Sequence, residues 1–239
     1  MARYEKLEEL LKHLNDVLRV EINRLDVTGF DELNALTAKH VLTEMLDRLI
    51  KANRKAYKEM AKSASHEVAD ELVRLFPMLF AENDAELEND EKGKKLKPKT
   101  IYPTNEYIDG LLGEPNPVTN YLYYPEAERK RSRLYEVVMV ALLTRNRNLY
   151  HDNLRKFSSL WHTQTVEYGI TVIDKTRIKT FKQNGIKRLK WVAEDDAKTC
   201  SICKERDGKI YKVDDVPPKP HYNCRCWLIP IIEDTKKNT

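Results

Sequence analysis

Glycine is scarce in this chain, and long apolar runs are missing from it. The sequence has only seven glycines among its 239 residues, which favours helices over a fold built mainly from strands and tight turns. No apolar run approaches the roughly 20 residues that a helix needs to span a bilayer, so we expect no membrane partner. The net charge of +4 is small, so composition permits contact with nucleic acid without arguing for it.

Several motifs of known enzyme classes are also missing. The sequence contains no G-x-x-x-x-G-K-[ST] loop, which excludes an ATP-driven motor of that type, and neither G-x-S-x-G nor H-E-x-x-H. His221 and Asn223 invite comparison with a His-Asn-His nuclease, but that chemistry needs a second histidine on a following helix. No histidine follows Asn223. We therefore expect no catalytic activity and no small-molecule substrate, and a zinc-supported nuclease is kept only as an alternative.

All four cysteines lie in one short segment close to the C-terminal end. Cys200 and Cys203 have the C-x2-C spacing of a metal knuckle, in which a tight turn points both thiolates at one ion. His221, Cys224 and Cys226 follow as H-x2-C-x-C and can complete a tetrahedral site from the other side. Cys224 and Cys226 share a face if the chain between them is extended, so either can be the fourth ligand. The segment predicts a structural zinc ion.

Disulfides and free thiols are the alternatives to a metal site. The sequence opens with Met1-Ala2-Arg3-Tyr4-Glu5 and runs directly into a charged stretch rather than a signal peptide. We therefore expect folding in a reducing cytoplasm, where clustered cysteines bind metal more often than they crosslink. A catalytic metal needs an open coordination position and a nearby general base, whereas this segment offers more ligands than one ion requires.

The residues around the cysteines form one ordered series. A tryptophan-containing strand is followed by a D-x-x-T-C-x-x-C turn, a D-G-K hairpin and the ending P-P-x-x-H-x-N-C-R-C. The series resembles the Mu F-like minor head proteins of tailed double-stranded DNA phages, also called the phage head morphogenesis family, over about residues 165 to 230. One additional residue before the histidine is a small departure from the family pattern. The matching positions are Trp191, Val192, Ala193, Asp196, Thr199, Cys200, Cys203, Asp207, Gly208, Lys209, Pro217, Pro218, His221, Asn223, Cys224, Arg225 and Cys226.

This resemblance carries expectations about function. It implies a minor capsid protein, present in few copies, that acts in head assembly, DNA packaging or DNA delivery. The implied partners are the portal protein, the major capsid protein or both, with double-stranded DNA as a further candidate. The implied location is the virion head, assembled in the host cytoplasm.

A group of basic residues supports another interpretation, a sequence-nonspecific DNA-binding module. Lys187, Arg188 and Lys190 lie in the predicted strand. Arg225 is predicted on the face opposite to the ligands, where it can contact a phosphate or a carboxylate. These four residues are the candidate contacts for DNA or another partner. Binding to DNA should weaken steeply as salt rises, whereas docking on a protein should depend on salt only weakly.

Apolar residues at three- and four-residue steps predict two long amphipathic helices in the first third of the chain. The first covers residues 3–25. The second starts after a cap at Thr28 or Asp31 and continues until Pro77. We interpret both apolar stripes as core packing, and a partner-binding surface is the alternative.

The next region differs in composition. Residues 82–91 are acidic and residues 92–99 are basic, which is typical of a solvated loop or linker. An arm that orders on a partner, with its lysines on phosphates, is the alternative. Residues 101–125 are rich in proline and tyrosine and predict an irregular loop. Its tyrosines either pin the loop to the helical body or contact another subunit.

Helical periodicity returns in the second half of the chain. One helix is predicted from Glu126 to about Gly169, with Gly169 as its end. A further helix covers residues 171–183, and Gly185 has the position of its C-terminal cap.

A small β module is predicted to close the chain. Residues 186–192 alternate as a strand, Asp207-Gly208 is a hairpin turn, and residues 209–213 form the returning strand. Residues 226–232 add a third strand that Pro230 halts. Because a sheet of this size buries little apolar area, the metal is expected to supply most of its stability.

The expected fold is therefore mainly α: a helical body with a small zinc-bound β-hairpin or three-stranded knuckle at its C-terminal end. Four regions follow from the patterns. They are an N-terminal helical region (1–80), a charged and Pro/Tyr-rich loop region (81–125), core helices (126–185) and a Mu F-like zinc-knuckle module (186–239).

Overall fold

The computed structural model describes residues 5–27, 34–80, 102–114, 123–221 and 224–232. Within these ranges the chain forms seven helices and three short strands, which confirms the expected mainly α-helical fold with a small β module. The chain divides into two compact units. One comprises Met1–Met60 and Asp109–Val172, and the other comprises Ala61–Ile108 and Ile173–Thr239. We call them unit 1 and unit 2.

Long helices make up most of the described chain. The second has 41 residues and the sixth has 37, and each contributes residues to both units. The elements in chain order are α1 (Glu5–Val27), α2 (Ala35–Leu75), α3 (Pro77–Phe80), α4 (Asn105–Leu111), α5 (Tyr123–Leu143), α6 (Arg147–Gln183), β1 (Arg188–Val192), α7 (Ser201–Arg206), β2 (Ile210–Lys212) and β3 (Trp227–Ile231).

The start of α2 differs from the prediction. Its cap is Asn34, whose side-chain Oδ1 accepts the backbone N–H of Thr37 at 2.9 Å, as short polar side chains do at helix N-termini. The predicted caps Thr28 and Asp31 lie outside the described residues. The end agrees better, because α2 stops at Leu75 and Pro77 becomes the first residue of α3, where its missing N–H is tolerated.

The predicted helix end at Gly169 is wrong. Gly169 lies inside the continuous α6, and the break falls at residues 144–146 instead. There Arg145 adopts a φ of 49°, and the Oδ1 of Asn146 accepts the N–H of Leu149 at 2.9 Å, which caps α6. A glycine inside a helix costs only about 1 kcal/mol relative to alanine, so packing along a long helix outweighs it.

Gly185 ends α6 as predicted. Its φ is +80°, a value that glycine adopts without strain. The N–H of Ile186 donates to the carbonyl oxygen of Phe181 at 3.1 Å, and the N–H of Gly185 donates to that of Lys182 at 3.1 Å. This pair of bonds is the Schellman motif, and it directs the chain from α6 towards β1.

Most of the predicted loop region, including residues 81–100, lies outside the described residues. Where the structure does describe it, the prediction of an irregular loop needs correction. Residues 105–111 form α4, and α5 begins at Tyr123 rather than Glu126. The Tyr107 hydroxyl donates to the carbonyl oxygen of Lys175 at 3.3 Å, so this tyrosine anchors its segment, as predicted.

Each unit has its own apolar core. In unit 1 the core is reinforced by a buried hydrogen bond from the Tyr150 hydroxyl to the carbonyl oxygen of Leu25 at 2.9 Å. In unit 2 a core cluster joins α2, α3, α6, β1 and the residue that follows β2. Its buried members are Val68, Leu72, Val73, Phe80, Phe181, Ile186, Leu189 and Val213.

The three strands form one antiparallel sheet in the order β2-β1-β3, which confirms the predicted three-stranded module. Two details differ. Asp207-Gly208 does not join two strands directly, because α7 precedes it in the connection between β1 and β2. Pro230 does not halt β3 but lies within it, opposite Leu189. Proline is tolerated there because β3 is an edge strand.

Candidate metal centre

The five predicted ligands come together in unit 2. Cys200 is the N-cap residue of α7 and Cys203 lies in its first turn, where only 2% of it is exposed. His221 ends the segment that follows β2, and Cys224 and Cys226 directly precede β3. The predicted tight turn at the C-x2-C motif is therefore the start of a short helix, which brings both sulfurs to one side.

Two of the distances between donor atoms match those of a tetrahedral metal site. The Sγ of Cys203 lies 3.5 Å from the Nε2 of His221 and 3.6 Å from the Sγ of Cys224. Ligands at ordinary zinc bond lengths and tetrahedral angles are separated by about 3.6 Å for sulfur to nitrogen and about 3.8 Å for sulfur to sulfur. These two spacings agree with those values, so the cysteine and histidine groups could hold a metal ion.

The donors form two groups that share one residue. Cys200, Cys203 and His221 form the first, and Cys203, Cys224 and Cys226 form the second; within each group the donor atoms lie within 4.8 Å of one another. All four cysteines are free thiols rather than disulfides. Cys203 is therefore the central donor, and both Cys224 and Cys226 remain within reach of the site.

Backbone N–H groups stabilise two of the sulfurs. The N–H of Cys203 donates to the Sγ of Cys200 at 3.4 Å; this bond is the main reason why the pKa of Cys200 falls to about 7. At Cys224, burial raises the pKa, while the N–H of Cys226 acts against that rise. Burial also raises the pKa of Cys203, and its neighbouring thiols add to the effect. A bound cation would favour the thiolate form of these buried sulfurs.

An ion pair joins the two cysteine-bearing segments. The guanidinium of Arg225 contacts Asp196 through both terminal nitrogens: Nη1 lies 2.6 Å from Oδ2, and Nη2 lies 2.7 Å from Oδ1. The Oδ1 of Asp196 also accepts the Lys198 N–H at 2.9 Å and the Thr199 hydroxyl at 3.2 Å. The hydrogen bond from Arg225 is the largest of the effects that hold the pKa of Asp196 far below its usual value. Arg225, predicted to be open to an external carboxylate or phosphate, thus pairs with a carboxylate of its own chain.

The segment that carries His221 is tied down at two points. The Arg206 guanidinium donates to the carbonyl oxygen of Pro218 at 2.8 Å. The Lys219 ammonium lies 3.1 Å from the Asp174 carboxylate, and only 10% of the Lys219 side chain is exposed. Sequence reasoning missed Asp174 and Lys219, because nothing in the local pattern of a long helix or a proline-rich segment marks a contact across 45 residues of chain.

The D-G-K part of the series also has a structural role. The Oδ1 of Asp207 accepts the Ala193 N–H at 2.8 Å, and the Gly208 N–H donates to the carbonyl oxygen of Trp191 at 2.9 Å. Gly208 has a φ of +74°, which favours glycine. These contacts return the chain from α7 to the end of β1.

The other basic residues predicted to contact DNA or a partner lie at the start of β1 or within it, rather than among the metal donors. Lys187, Arg188 and Lys190 are exposed, and the strand alternation sets Arg188 and Lys190 on the face opposite to buried Leu189. Among the described residues, no helix combines the length and the apolar composition needed to cross a membrane.

These observations define a class: a mainly helical protein with a small β module that contains cysteine and histidine groups able to hold a metal ion. Comparison with known families makes the assignment specific. Residues 153–229, about a third of the chain, match the family described as Phage Mu protein F like protein. This stretch is similar to that family, as its motif series predicted, and the similarity points to a protein of phage head morphogenesis. No curated protein and no solved structure matches the chain significantly.

Proposed function

We propose that this protein is a non-catalytic minor head protein of a tailed double-stranded DNA phage. It docks on the portal or on the inner face of the capsid and acts in head assembly, DNA packaging or DNA delivery. The observation that carries the proposal is the family match, because residues 153–229 contain β1, β2, the start of β3 and all five donors. The family implies association with other virion proteins, and the choice of portal or capsid is our inference.

The proposal assigns zinc a structural role. Two features support this role: the surplus of donors, and the burial of Cys203, Cys224 and Cys226. A catalytic zinc needs an open position and a nearby base. The nearby carboxylates of Asp196 and Asp207 instead hold Arg225 and a backbone N–H. When bound, the ion would hold α7, the His221 segment and the start of β3 together.

The experiment is co-purification of the chain with its cognate portal protein at low and moderate salt, with the major capsid protein and DNA as controls. Docking on a protein should depend on salt less steeply than binding to DNA does, so the complex should survive moderate salt. If neither head protein retains the chain, the proposed function is wrong.

DNA binding is the competing outcome, and the exposed cations of β1 give it a definite signature. Three phosphate contacts, at Lys187, Arg188 and Lys190, predict a slope of about −2.7 in log affinity against log salt, so raising salt from about 50 to about 200 mM would weaken binding roughly 40-fold. If only DNA retains the chain, and with a slope of this size, DNA binding and not docking on a head protein is the function.

A further inference from the structure

The β module has one sheet face packed in the core and one turned away from it. Leu189 and Trp191 of β1 are buried and pack in the clusters of unit 2. Directly paired residues on antiparallel strands share a face, and neighbours along a strand alternate between faces. The register therefore defines an outward face. We use this name for Arg188, Lys190, Ile210, Lys212, Ile229 and Ile231.

Positive charge is concentrated on the outward face. Arg188, Lys190 and Lys212 are all exposed. Arg188 and Lys212 lie directly opposite each other in the register, and like charges in such positions repel. None of the outward-pointing residues that the structure places on these three strands is acidic. An anionic partner laid across the sheet would meet the exposed ammonium groups of Lys190 and Lys212.

Apolar side chains flank these cations on both sides. On β2, Ile210 is 54% exposed. On β3, Ile229 lies opposite Lys190 and Ile231 lies opposite Arg188, and both isoleucines are partly exposed. The backbone of a nucleic acid supplies phosphates but no apolar surface for the isoleucines. A polypeptide that bears both acidic and apolar side chains matches the whole face.

We propose that the outward face is the docking site for an acidic, apolar-bearing segment of another head protein. Its carboxylates pair with Lys190 and Lys212, and its apolar side chains cover the isoleucines. The inference rests on the proposed function, because it takes a virion protein as the partner. It adds the surface that docks and the chemistry of the segment that is recognised.

The test measures binding of the full-length, zinc-loaded protein to three probes: the cognate portal protein, the major capsid protein and a DNA duplex of about 30 base pairs. The double variant Lys190→Glu/Lys212→Glu should weaken binding to the wild-type partner at least about tenfold through charge repulsion. Lys156→Glu, the same change at an exposed position on α6, is the matched control and should stay within about twofold. Ile210→Ser should also weaken binding, because it removes an apolar contact.

The outcomes separate the inference from the proposed function. Wild-type affinity of the double variant for the head protein overturns the inference and leaves the proposed function intact. If the wild type binds neither head protein, the proposed function falls and the inference falls with it. If the double variant loses binding to the DNA duplex but not to the head protein, nucleic acid is the occupant of the face and the inference is also overturned. Zinc content and circular dichroism establish that each variant is folded. The double variant Lys190→Gln/Lys212→Gln, which removes the charges without reversing them, should show a smaller loss of binding.

Discussion

Replacing Cys203 with serine is expected to unfold the β module and leave most of the helical structure intact. Cys203 belongs to both donor groups, so no choice among the remaining donors keeps its central position. Structural zinc contributes roughly 10 kcal/mol or more of folding free energy in zinc-finger peptides. A sheet of three short strands cannot replace a contribution of that size by burial alone.

The structure indicates which signals should change. Trp191 is 2% exposed and packs in one cluster with Cys203, Cys224 and Cys226, so unfolding of the module should expose its indole and shift tryptophan fluorescence to the red. Far-ultraviolet circular dichroism should change little, because α7, the helix inside the module, has only six residues.

Elemental analysis of freshly reduced protein should find about one zinc per chain in the wild type and none in Cys203→Ser. Ile202→Ser is the matched control, because Ile202 is the adjacent residue and is 46% exposed; it should keep its zinc. Comparing Cys224→Ser with Cys226→Ser identifies the fourth ligand. The reasoning is refuted if reduced wild-type protein holds no metal, or if Cys203→Ser keeps one zinc and a buried Trp191.

The other predictions address the ion pair, the helical body and the charged segment. Asp196→Asn should lower zinc affinity about 10- to 100-fold, because it weakens the Arg225 contact that joins the cysteine-bearing segments. Competition with a chelator measures the zinc affinity, and Glu194→Gln is the control. Equal zinc affinities of Asp196→Asn and the wild type would contradict the prediction. The pKa of Glu126 is depressed chiefly by the hydrogen bond from Arg129, so its stabilising contribution is present above the unfolded pKa near 4.5 and is lost as pH falls through the lower folded value. Urea unfolding should therefore show that the wild type loses stability between about pH 5 and pH 3. The control Glu128→Gln should lose as much stability as the wild type, and Glu126→Gln should lose less. The same loss in all three proteins would refute this explanation. Limited proteolysis should cut first within residues 82–99, as their composition suggests, and first cuts within residues 134–143 of α5 would contradict the predicted organisation.

Sequence alone predicted the features that depend on residue type and spacing. The proximity of Cys200, Cys203 and His221 could be predicted because cysteine and histidine at this spacing are typical of a metal site. The sheet followed from the alternation around Leu189, and the end of α6 followed from Gly185. In each case the residue that gives the sequence pattern is also the residue that forms the predicted feature.

The features that were missed depend on competition between signals or on contacts distant in sequence. Gly169 suggested a helix end, but the better signal was Asn146, a strong capping residue after a polar turn. Pro230 suggested the end of a strand, because its position at the sheet edge was not visible in the sequence. The ion pairs Asp196–Arg225 and Asp174–Lys219 form only when the chain is folded.

A density map of the intact phage head tests the central claim most directly. We expect density for this chain, in few copies, against the portal or the inner face of the capsid, with the zinc-bound sheet recognisable beside its helices. A well-resolved map in which other proteins account for all density at both places would contradict it.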